Sequence, residues 1–140
     1  MPVMGYLVLV AWLIQAVAGV WLLTRWLRDG GRGVSVGIAH VALVGASLAA
    51  WIVFLVTGAV IWAWISFVVL TVALFVGDSL LIGRQRQRVE RVNGLWRDHG
   101  AAIAAVFRRR MPALVVFHAL FSPVVYFGCL AVCIGATIAG

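Results

Sequence analysis

The chain has 140 residues, 65% of them apolar and only 11% charged, with a mean hydropathy of +1.13. A soluble domain is about half apolar and about a quarter charged, so a chain this short cannot hide so much apolar surface from water. Disorder, a secreted disulfide scaffold and a soluble enzyme are excluded, and an all-α integral membrane protein is implied. Its basic residues are all arginine, 11 against 4 acids, for a formal charge of +7. In a soluble protein that balance would suggest nucleic acid. Here the arginines lie between apolar runs, which marks membrane topology and no nucleic-acid partner.

The apolar runs long enough to cross ~30 Å of hydrocarbon number four. Backbone groups in lipid must bond within their own segment, so each run is a helix, and a four-helix bundle forming a single membrane domain follows. The first span covers residues 6–27 and carries Gln15. No Lys or Arg precedes it and the N-terminal region offers no small-residue cleavage site, so it is expected to persist in the mature protein. Arg25-Trp-Leu-Arg28-Asp29-Gly30-Gly31-Arg32 follows, with a tight-turn signal at its centre.

The second span, 34–56, carries His40, with Gly33, Gly37, Val44 and Ser47 around it at helical spacing. Gly37 leaves room for a flat, bulky group or for a neighbouring helix. Thr57-Gly58 makes an uncharged hairpin into the third span, 59–82, which carries Asp78. Trp51, Trp62 and Trp64 are expected as an aromatic belt at the hairpin end, with Trp26 at the other.

The connection from Arg84 to Arg110 holds eight of the 11 arginines. The positive-inside rule then places it and the first connection in the cytoplasm, with both termini outside a plasma (inner) membrane. Gln85 to Arg91 prolongs the third helix and Asn93-Gly94 breaks it. Leu95 to Phe107 reads as a short amphipathic helix on the membrane surface, with Arg97, Asp98 and His99 grouped near its start and His99 solvated. Arg108, Arg109 and Arg110 are placed among anionic headgroups, each worth about 1 kcal/mol of attraction. The fourth span, 111–138, carries His118, with Leu114, Val115, Phe121 and Ser122 around it. Pro123 is expected to kink it and free a carbonyl nearby. Cys129 and Cys133 share a face as packing residues without further metal ligands at their depth.

An ionisable residue inside a span costs about 2.5 kcal/mol or more, so each requires a reason. At ~1.5 Å of rise per residue, His40 and Asp78 lie about 9 Å and His118 about 12 Å from the arginine-rich boundary. Gln15 lies ~15 Å from it, near the bilayer centre. The chain also reads twice as span, basic loop, span. Val36-Gly-Ile-Ala-His40-Val-Ala-Leu can be set against Leu114-Val-Val-Phe-His118-Ala-Leu-Phe. That is a parallel pair of helical hairpins about an axis along the membrane normal, which brings the two histidines to opposite sides of a central seam.

Three readings of this layer stand open. In the first, His40 and His118 supply both axial ligands of a b-type haem for electron transfer, with Asp78 in the second shell and Gly37 making space. Arg84, Arg108, Arg109 and Arg110 then pair with propionates or with lipid headgroups. In the second, His40, Asp78 and His118 form a metal or proton site of a small transporter or channel-like protein. In the third, they bond one another or backbone carbonyls and fix the bundle register, as small-residue stripes such as Ala42, Ala46 and Ala50 also do. No phosphate-binding glycine loop, nucleophile elbow or zinc-protease helix is present.

His40 with Leu48-Ala-Ala-Trp51-Ile-Val-Phe-Leu-Val-Thr-Gly58, then Trp62-Ala-Trp64-Ile-Ser-Phe67, then Pro112 with His118 resemble uncharacterised four-span membrane proteins of actinobacteria. Helix count and histidine placement also resemble haem-holding membrane anchors such as those of succinate dehydrogenase. With so little chain outside the spans, a subunit or accessory protein of a larger assembly is expected, partnered by another membrane protein or by a second copy.

Overall fold

The computed structural model describes residues 2–28 and 34–139; the expected Asp29-Gly30-Gly31-Arg32 turn and Gly33 lie outside them. Five helices follow in order: α1 (Pro2–Arg28), α2 (Val34–Thr57), α3 (Val60–Val89), α4 (Leu95–Phe107) and α5 (Ala113–Ala139). All but α4 are long and apolar enough to cross a membrane. The α2–α3 connection is as short as the sequence implies. Gly58 takes φ 70°, a left-handed conformation that a side chain would strain. Its N–H reaches the Phe54 carbonyl at 2.8 Å. Helix α3 runs beyond its apolar stretch and ends at Glu90, and α4 begins after Gly94 at φ 97°. Helix α5 continues unbroken through Pro123.

The four long helices form a ring in which α1 packs on α2 and α5, and α3 packs on α2 and α5. Among the described residues, α1 and α3 face each other diagonally, as do α2 and α5. The ring order and the spacing of buried residues are those of two hairpins, α1–α2 and α3–α5, repeated about a pseudo-two-fold axis down the ring. The buried residues Gly5, Val8, Trp12 and Gln15 of α1 recur at one constant offset as the buried Ala63, Ser66, Leu70 and Ala73 of α3. Gly37, Ser47 and Trp51 of α2 recur at another as Val115, Val125 and Cys129 of α5. The second offset is the one that aligns His40 with His118. The longer connection carrying α4 makes the two offsets differ.

The half of the ring nearest the α2–α3 turn is solid. Trp12 and Trp51 meet there with ring centroids 5.9 Å apart, among Leu70, Val125, Cys129 and Cys133. Trp51 is fully buried and donates its indole N–H to the Gly5 carbonyl at 3.2 Å. That corrects the belt assignment: a large ring with one polar atom fits a core that offers it an acceptor. Trp62 does stay exposed. Helices α2 and α3 are clasped reciprocally, Ser47 Oγ donating to the Ser66 carbonyl at 2.6 Å and Ser66 Oγ to the Ser47 carbonyl at 2.8 Å. At the pseudo-equivalent place between α1 and α5 stand Val8 and Val125.

Helix α4 packs at the arginine-rich end on α3 and α5 through Ala105 and Val106, against Met111 and Val115. Asp98, near the start of α4, is buried. It accepts from Arg86 Nε at 2.6 Å and from the Asn93 N–H at 3.2 Å. Leu95, Trp96 and Phe107 are exposed.

Removing the clasp in Ser47→Ala should lower stability by about 1 kcal/mol, the scale of interhelical hydrogen bonds in apolar surroundings. An unfolding titration in mixed micelles measures it. The Arg86 hydrogen bond, helped by the Asn93 N–H and opposed by burial, holds the Asp98 carboxyl below the ordinary aspartate range. A group so lowered stabilises above its unfolded value of about 3.9 and ceases to as pH falls through its folded value. The protection of amides in residues 95–107, taken relative to their intrinsic exchange rates, should thus be constant from about pH 8 to about pH 5 and fall only in stronger acid.

Candidate functional site

The other half of the ring is hollow. A cavity of about 790 Å³ lies there, with Gly19 and Gly77 in its wall. That volume lies within the range of small-molecule and cofactor pockets. His40 enters it from α2 and His118 from α5, the diagonal pair, with ring centroids 6.4 Å apart and planes at 76°.

Each imidazole stands against a glycine of the next helix. A Cβ at Gly77 would lie 3.0 Å from His40 Cε1, and one at Gly19 would lie 3.2 Å from His118 Cε1. Gly19 and Gly77 occupy pseudo-equivalent positions, so the same cradle is built twice. The histidine repeat alone does not reveal them, because α1 and α3 align at a different offset from α2 and α5.

The two rings are anchored differently. His40 Nδ1 lies 2.8 Å from the Ala73 carbonyl. A carbonyl only accepts, so Nδ1 carries the proton and Nε2 of the neutral ring keeps its lone pair. Position 73 is matched in α1 by Gln15, whose Nε2 donates to the His118 carbonyl at 2.8 Å and to Ser122 Oγ at 2.7 Å. Gln15 therefore holds the His118 backbone while His118 Nδ1 is buried without a partner among the described residues.

Gly37 does not provide open space, which corrects the sequence expectation. A Cβ there would overlap the Trp26 ring, so the indole already fills the notch. Asp78 borders the cavity but turns to α4, its Oδ2 lying 3.5 Å from His99 Nε2. It serves neither His40 nor His118, and His99 is half-buried against it rather than solvated. The reason is that α4 folds back along α3, which the sequence does not specify. Among the described residues no group of three His, Cys, Asp or Glu side chains gathers as a metal cage, so His40, Asp78 and His118 do not converge.

Of the arginines assigned to propionates or headgroups, Arg84 borders the cavity. Arg108, Arg109 and Arg110 are exposed in the turn that ends α4, their N–H groups bonded to the Ala104, Val106 and Ala105 carbonyls. Set against family models, curated proteins and solved structures, the chain matches none.

Filling the α3 cradle should release the histidine it holds. In Gly77→Leu, the hydrogen-bonded Nδ1 proton resonance of His40 should disappear from the NMR spectrum of ¹⁵N-histidine-labelled protein. Val17→Leu, on the outward face, should preserve it.

Proposed function

We propose that the chain is a small membrane subunit holding one b-type haem between His40 and His118 and passing electrons near the cytoplasmic face. The observation that carries this reading is the imidazole pair itself. Two rings from diagonal helices face one another across an apolar hollow large enough for a cofactor. Metal–imidazole bonds of about 2 Å on each side call for ring centres roughly 6 Å apart, as these are.

Two further features agree. His40 has its Nδ1 proton committed to a carbonyl, the usual outer partner of a ligating histidine, and so presents Nε2. His118 has a buried nitrogen in need of a partner. A bound haem would supply one-electron chemistry. The chain's own part is to orient both imidazoles and to surround them with an apolar wall. Arg84 is the arginine placed to meet a propionate. The electron's source and destination would belong to a partner, in keeping with an accessory or anchor subunit.

Protein purified from a haem-supplied host should show a sharp Soret band and split reduced bands at about one haem per chain. His40→Ala and His118→Ala should each abolish the pigment, and Asp78→Asn should keep it. A folded, colourless protein without iron would sink the haem reading. Metal analysis and proton-flux assays of the same samples would then test the alternative two-histidine metal or proton site.

A further inference from the structure

The pseudo-two-fold axis makes the two intra-hairpin seams comparable, and they are closed differently. In the α1–α2 seam Trp26 covers Gly37 with its indole. The pseudo-equivalent positions in the α3–α5 seam are Arg84 and Val115, so there is no aromatic plug. Helix α4 closes only the arginine-rich end of that seam, reaching the cavity with Ile103, Val106 and Phe107.

Farther along the seam the cavity wall continues onto side chains that point out of the bundle. Phe75 is 71%, Phe127 62% and Leu120 44% exposed, and all three also line the cavity. The hollow thus runs out sideways between α3 and α5, where a chain that spans a membrane meets hydrocarbon. At the seam's arginine-rich end stands the exposed Arg84, with the Arg108–Arg110 turn leading into α5 at the same end. The one acid at this mouth, Asp78, is already faced by His99.

We propose that the α3–α5 seam is a binding site for one anionic glycerophospholipid. An acyl chain lies between Thr71, Phe75, Leu120 and Phe127, and the phosphate meets Arg84. The lipid replaces, in the second hairpin, the seal that Trp26 provides in the first. The charge complement selects the headgroup: an arginine near an anionic surface contributes about 1 kcal/mol. That corresponds to about fivefold in affinity. The site opens from the same hollow on the lipid side of the histidine pair, and the lipid phosphate and a haem propionate are alternative partners of Arg84.

Native mass spectrometry of the detergent-purified full chain tests this, with phosphatidylglycerol and phosphatidylcholine of matched chains in competition. The wild type should retain about one lipid per chain after annular lipid is stripped, with phosphatidylglycerol preferred about fivefold. Thr71→Trp, or Phe75→Trp should the first fail to fold, should lose the retained lipid, while Val17→Trp on the outward face of α1 keeps it. Arg84→Gln should retain a lipid but lose most of the headgroup preference. Equal retention in the wild type and the filled-seam variant would mean annular lipid only and would overturn the site. Retention without headgroup preference in the wild type would overturn the anionic assignment.

Discussion

The reciprocal serine clasp between α2 and α3 sets the register on which the rest of the bundle depends. In an apolar medium no hydrophobic force draws helices together, so close packing of small side chains and a few interhelical hydrogen bonds must do so. Ser47 and Ser66, both fully buried, supply two such bonds between hydroxyls and carbonyls. His40 precedes Ser47 by the same number of residues as Ala73 follows Ser66. The clasp therefore brings the His40 ring to the Ala73 carbonyl two turns away. A slip of one residue would turn the imidazole off that carbonyl and off Gly77.

The pseudo-symmetry then distributes two different tasks along one axis. Near the α2–α3 turn the inward positions carry two tryptophans, a leucine and two cysteines, and the ring is filled. Toward the arginine-rich end Gly19 and Gly77 stand against the two imidazoles, and a hollow remains beside them. Solid packing in one half lets the other remain open, because α1, α2, α3 and α5 are already held. The second hairpin departs from the first where its loop is longest. The extra helix α4, fastened by Asp98 to Arg86, brings His99 to Asp78 and leaves the seam beneath it without an aromatic plug.

Much of this was legible in the sequence. Apolar length gave the four spans, the charge gap gave the tight α2–α3 turn, and the alignment of His40 with His118 has the offset at which buried residues of α2 recur in α5. The extent of α4 also follows from its composition. What escaped was whatever depends on side-chain partners rather than periodicity. Trp51 looks like an interfacial tryptophan until the Gly5 carbonyl is seen to accept from it. Gly37 looks like space until Trp26 fills it. Asp78 and His99 look unrelated because twenty residues and a reversal of chain direction separate them. The cradle glycines were hidden because the two halves of the repeat need two different offsets.

The sealed half of the ring also governs the chain's thiol chemistry. Cys129 and Cys133 are its only cysteines, and both are wholly enclosed by neighbouring side chains. An aqueous alkylating reagent has no path to either sulfur while the bundle is folded, since a thiol reacts only as an accessible thiolate. A single cysteine introduced on a loop is then the one residue such a reagent can label. The side of the bilayer on which each loop lies becomes readable without first replacing the native pair.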